Sequence, residues 1–135
     1  MNSKITLTVT NGTLAGKEYS FDAIDRCVVG RAPDCGIQFP QDAAHMSVSR
    51  HHCLLIVAPP TIWVRDLGSR NGTFVNGIKI GQRSDSPDDD NGSADSPDWQ
   101  LKDGDEIRVG NTVFHLSIVT AGEPQFAVPI PMVMD

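Results

Sequence analysis

The chain has 135 residues and a formal net charge of −6, from 11 basic and 17 acidic residues, which is enough chain for one domain with a sizeable core and too little for two. No apolar run approaches the ~18 residues of a membrane-spanning helix, and no basic stripe exists to displace the counterions of a nucleic acid, so neither a membrane nor general nucleic-acid binding is expected. Cys27, Cys35 and Cys53 are three in number, an odd count at no metal-ligand spacing, and read as reduced, buried thiols.

From the N-terminus, Met1 to Ile5 lack the apolar stretch of a signal peptide, and the chain reads as cytoplasmic. Ile5 to Val9 alternate apolar and polar residues, the pattern of a half-buried strand, and Asn11-Gly12 follow as a turn. Lys17 to Phe21, Arg26 to Val29 and Ile37 to Phe39 are short strand candidates. His52 to Val57 is a longer, more buried run, and Thr61 to Asp66 alternate again. Thr73 to Val75 sit between Asn71-Gly72 and Asn76-Gly77, dipeptides that favour tight hairpin turns because both positions tolerate φ > 0. The sequons at Asn11, Asn71 and Asn91 read as such turns rather than as glycosylation sites. Ile78 to Ile80 follow, and Asp105 to Val109 with Thr112 to Val119 form a last hairpin around Gly110-Asn111. No stretch keeps helical periodicity over three turns. Many short strands with frequent turns predict an all-β sandwich or barrel.

Two segments stand apart. Residues 82–98 are low in complexity and rich in Asp, Ser and Pro, and are expected to form a mobile loop. Six of the 17 acidic residues lie between positions 84 and 98, which leaves 11 acids against 11 bases elsewhere. The expected organisation is a domain over 1–120 carrying this acidic insertion, then a Pro-containing tail or linker over 121–135.

The chemistry concentrates on turns. Arg31 follows a strand and Gly30, so its guanidinium is expected to project from a strand end. Arg31, the Ser49 hydroxyl, the Arg50 backbone or side chain and Asn71 are donors suited to one anion and the peptide chain bearing it. Gly72 suits a tight turn after Asn71. The ordered set Gly30-Arg31, Ser49-Arg50-His51-His52, Asn71-Gly72 and Asn76-Gly77 resembles the forkhead-associated (FHA) domain over roughly residues 4–119. Pro33-Asp34-Cys35, Asp66 to Ser69 and Leu101 to Asp105 fit the same pattern. The resemblance implies an FHA-type β-sandwich of about 10–11 short strands, with binding loops at one end and no enzymatic activity or cofactor. It implies a phosphothreonine reader in which Arg31, Ser49, Arg50 and Arg70 bind phosphate and Asn71 holds the peptide backbone. Gly30, His52 and Gly72 then support the site, with His52 bracing the loops from behind, and His45, Met46 and Ser47 form a specificity loop. The implied partner is a phosphothreonine-containing protein, linked in many such proteins to a Ser/Thr kinase.

Rival readings are weaker. His51, His52 and Cys53 are adjacent on a strand, point to opposite faces and cannot converge on a metal. Ser49, His52 and Asp66 mimic a hydrolase triad but lack a nucleophile elbow. A module that binds a folded partner through a sheet face without phosphate is the alternative function. The aspartates of the insertion are candidate competitors for Arg31, Arg50 and Arg70. Unchanged phosphopeptide affinity after deletion of residues 84–98 would dismiss that competition.

Overall fold

The computed structural model describes residues 3–83 and 97–120. Among these, eleven strands build a sandwich of two sheets. The strands are β1 (Ser3–Asn11), β2 (Glu18–Phe21), β3 (Asp25–Gly30), β4 (Ile37–Gln38), β5 (Cys53–Ala58), β6 (Thr61–Asp66), β7 (Thr73–Val75), β8 (Ile78–Gly81), β9 (Trp99–Gln100), β10 (Glu106–Val109) and β11 (Thr112–Thr120). One sheet has the order β2-β1-β11-β10-β7-β8 and the other β4-β3-β5-β6-β9. All pairings are antiparallel except β3 with β4.

Alternation fixes which face each strand turns inward. Ile5, Leu7 and Val9 of β1 are buried, while Lys4, Thr6 and Thr8 face out. Their register sets Leu7 against Leu116 and Val9 against Phe114 of β11. From the other sheet Val29, Ile37, Leu55, Val57, Ile62 and Val64 close the same core. Phe39, fully buried, stacks edge-on to Phe114 with ring centroids 6.2 Å apart and ties the two layers together. Each such side chain contributes about 1.5–3 kcal/mol on burial, so the sandwich is stiff and its loops hang from a rigid frame.

The expected strands are all present, with ends shifted by at most two residues. Asn76, at φ 51°, and Gly77, at φ 82°, form the expected tight hairpin between β7 and β8. Asn71-Gly72 does not: Asn71 has no positive φ, and the pair ends a longer connection from β6 to β7. Two short elements escaped the sequence, a 3₁₀ turn at Ala43–His45 and the two-residue β9, because neither is long enough to show a period. The tail, 121–135, and most of the acidic insertion, 84–96, lie outside the described residues.

Candidate functional site

Four chain segments meet at one end of the sandwich. They leave the C-terminal ends of β3, β6 and β8 and lead into the N-terminal end of β5. The first junction is backbone to backbone. Arg31 N–H donates to the Ser49 carbonyl at 3.2 Å, and Ala32 N–H to the Arg50 carbonyl at 3.0 Å. A Cβ on Gly30 would lie 2.1 Å from the Arg50 carbonyl oxygen, so only glycine lets the two loops approach this closely.

The second junction is His52, whose side chain is completely buried. Its Nδ1 accepts the Ser49 N–H at 3.0 Å and its Nε2 donates to the Gly72 carbonyl at 2.9 Å. One ring therefore fixes two loops from behind. Burial pushes its pKa below the usual histidine range, against smaller opposing effects of the Gly72 carbonyl and Asp66, so the ring is held neutral with the proton on Nε2. Beside it the buried Asp66 carboxylate accepts from Gly68 N–H (2.9 Å), Ser69 N–H (3.1 Å), Thr73 Oγ1 (2.7 Å) and the Ser69 hydroxyl. These four hydrogen bonds tie the 67–72 loop to the end of β6.

In front of this frame lies an open cleft of about 380 Å³. Arg31, Ser49, Arg50, Arg70 and Asn71 all line it, as do Met46 and Ser47. The Arg31 guanidinium is braced by Nε donating to the Val48 carbonyl at 2.5 Å and Nη1 donating to Gln41 Oε1 at 3.3 Å. The Ser49 hydroxyl accepts the Arg70 N–H at 2.9 Å, which orients its own proton elsewhere. Asn71 donates from Nδ2 to the Ser47 carbonyl at 2.9 Å, which fixes the orientation of its amide. Val48 and Leu67 add apolar wall. Four arginines line the cleft, and no acidic side chain does among the described residues.

Not every expected residue lies there. His45 is buried behind the loop, its Nδ1 bonded to Asp42 at 2.7 Å and its Nε2 to the Thr13 hydroxyl at 3.1 Å, with its ring edge-on to Phe39. It props the 42–48 loop from behind and does not line the cleft, because Thr13, Asp42 and Phe39 hold its ring inward. The Ser47 hydroxyl is also buried, close to where a side chain on Gly110 would lie, and has no hydrogen-bond partner among the described residues. Its carbonyl, not its hydroxyl, serves the site. Arg83 was missed. It joins the cleft because its N–H donates to the Ser69 carbonyl at 2.7 Å and its Nε to the Gly68 carbonyl at 3.3 Å. Its long-range contact left no signal in a low-complexity stretch. Asp98, expected as part of the acidic segment, pairs with Arg65 at 2.6 Å instead of with the cleft.

Asp34, Cys35 and His51 hold ligand-type atoms within 4.8 Å of one another. However, the His51 ring is bonded to the Asp34 carboxylate at 2.9 Å, and the Cys35 thiol donates to the Arg50 carbonyl at 3.2 Å. The pairing with His51 holds the Asp34 carboxyl below its usual pKa, helped by the nearby Arg50 charge. A cation there would have to break these bonds beside an arginine.

A family model for the FHA domain matches residues 27–110, the stretch that contains every residue lining the cleft. The chain belongs to the FHA family. Similar proteins agree with the fold of this FHA domain. The ABC transporter ATP-binding/permease protein Rv1747 of Mycobacterium tuberculosis is 35% identical over 83 residues, which are 62% of this chain and 7% of that protein. The chain thus spans a small fraction of this curated relative. A structure solved in a study of phosphothreonine-dependent FHA domain interactions is 26% identical, with a TM-score of 0.63 and coverage of 84% of this chain and 95% of the other. The FhaA FHA domain, solved in complex with the intracellular domain of Rv3910, is 26% identical with a TM-score of 0.61, over 83% and 98% of the two chains. No helix among the described residues is long and apolar enough to cross a membrane.

Proposed function

We propose that this FHA domain binds phosphothreonine in an extended segment of a partner protein, acts in the cytoplasm in kinase-linked signalling, and carries no catalytic activity. One observation carries the reading. Arg31, Ser49, Arg50, Arg70 and Asn71, scattered over 41 positions of sequence, line a single cleft without an opposing acid among the described residues. A phosphothreonine brings about −1.5 to −2 charge and three acceptor oxygens. Arg31 and Arg50 supply matching charge, the Ser49 hydroxyl a donor, and the Asn71 amide oxygen accepts a peptide N–H. The solved relative with phosphothreonine-dependent interactions supports the same ligand.

Catalysis is disfavoured by the same geometry. Both nitrogens of His52 are committed to backbone groups, which leaves this ring unsuited to act as a base on Ser49. Threonine is preferred over serine because Val48 and Leu67 offer apolar wall to the γ-methyl. One buried methyl gives about 0.8 kcal/mol, or about fourfold in affinity.

The test is a peptide library with phosphothreonine, phosphoserine or unmodified threonine at a fixed position, probed with the natural chain and with Arg31→Ala. Micromolar binding that requires the phosphate and is lost in the variant is expected. Binding indifferent to phosphate and to Arg31 would overturn the assignment.

A further inference from the structure

The cleft carries more positive charge than one phosphate uses. Four guanidinium groups, from Arg31, Arg50, Arg70 and Arg83, line one space of about 380 Å³. A phosphothreonine brings at most about two negative charges, which Arg31 and Arg50, from the loops after β3 and before β5, can match. Arg70 and Arg83 come from the loops after β6 and β8, and the like charges of the four arginines repel one another.

Arg83 is held there deliberately. Its N–H and its Nε bond two successive carbonyls, Ser69 and Gly68. The neighbouring Gln82 amide donates to the Arg70 carbonyl at 2.7 Å, and Lys79 Nζ in turn donates to Gln82 Oε1 at 2.5 Å. The 82–83 segment is thereby stitched along the 67–71 loop, whose other side is fixed by Asp66 and His52. A surface arginine needs no such scaffold. Nε is engaged by Gly68, and a guanidinium also carries two Nη groups in the fork geometry that suits a carboxylate or phosphate.

The geometry points to a second anion subsite: Arg83, next to Arg70, reads an acidic side chain or second phosphate on the bound segment, apart from the phosphothreonine. The preferred ligand is thus a doubly anionic segment. This inference rests on the phosphothreonine reading above and deepens it.

The test is a phosphothreonine peptide with neutral flanks, in which glutamate is walked through the flanking positions, followed by phosphothreonine or phosphoserine at the best one. Binding is measured with the natural chain, with Arg83→Gln, and with Lys102→Gln, which removes equal charge from an exposed site outside the cleft. Glutamate should tighten binding about tenfold at one position, and a phosphate there should match or exceed it. Arg83→Gln should reduce that gain to less than twofold, and Lys102→Gln should preserve it. A gain spread evenly over all positions, a gain that survives Arg83→Gln, or no gain at all overturns the inference while leaving phosphothreonine recognition standing. If no phosphothreonine peptide binds, the proposed function fails, and this inference fails with it.

Discussion

Gly30→Ala is the most discriminating change in the frame behind the cleft. Gly30 does not have a positive φ, so alanine is allowed by its own backbone, and any effect comes from the space around it. The added Cβ would sit 2.1 Å from the Arg50 carbonyl oxygen, 2.7 Å from its carbon and 2.9 Å from the Ser49 oxygen. Ordinary contact needs about 3.4 Å or more, so the 49–51 loop must retreat by about 1 Å. That movement strains the Arg31-to-Ser49 and Ala32-to-Arg50 hydrogen bonds, now 3.2 and 3.0 Å. Overpacking costs about 1–3 kcal/mol and two weakened hydrogen bonds about 1 kcal/mol each. Reduced freedom of the unfolded chain returns about 0.4–1 kcal/mol. The net expectation is about 2–5 kcal/mol of lost stability, read from urea unfolding midpoints at constant slope. Because Arg31 and Ser49 move relative to each other, phosphopeptide affinity by calorimetry should also fall at least about tenfold. A variant within about 0.5 kcal/mol of the natural stability, with unchanged affinity, would refute the close-approach argument.

Further expectations follow from the other buried groups. His52→Ala leaves the Ser49 N–H and the Gly72 carbonyl without their partner in a buried site, and should cost about 2–5 kcal/mol in denaturant unfolding; a loss below 1 kcal/mol would show that the ring is dispensable. The lowered His52 pKa means that the unfolded chain takes up this proton first. Its contribution is therefore complete above about pH 6.5 and declines as pH falls below that value. His52→Asn should flatten this part of the stability profile, and an unchanged slope would assign it to other groups. Burial raises the Cys27 thiol to about 11 and pushes the fully buried Cys53 higher still. Ellman's reagent at pH 8 should modify both only as the protein unfolds, and rapid reaction of Cys53 in native buffer would contradict its burial. Phosphopeptide affinity should fall between pH 7 and 5 as the phosphate takes up its second proton, with a pKa near 6. A sulfate-bearing analogue should lack this fall, and equal pH dependence of the two ligands would locate it in the protein.

The sequence discloses the parts whose causes are local. The two-residue period of β1 states which face is buried, and Asn76-Gly77 states its hairpin through φ preferences alone. Gly30 enters the sequence reading only as site support implied by the family resemblance, and the reason for it, the facing Arg50 carbonyl, belongs to a loop twenty residues away. What stays hidden is set by partners distant in sequence. His45 sits in a loop that reads as ligand-facing, yet Thr13 and Phe39 draw it inward. Arg83 reads as one base at the edge of an acidic stretch, and only its bonds to Gly68 and Ser69 bring it to the cleft. Asp66 carries the loop it begins, which its place at the end of an alternating strand does not announce.

Phosphothreonine binding in the arginine-lined cleft, rather than on a sheet face, can be read residue by residue from amide chemical-shift mapping of the labelled protein, titrated with a phosphothreonine peptide and with its unphosphorylated twin. Shifts concentrated on Arg31, Ser49, Arg50, Arg70 and Asn71 are expected, with none for the twin. Shifts centred on the outward residues of β1 and β11, such as Thr6 and His115, and equal for both peptides, would contradict binding in the cleft.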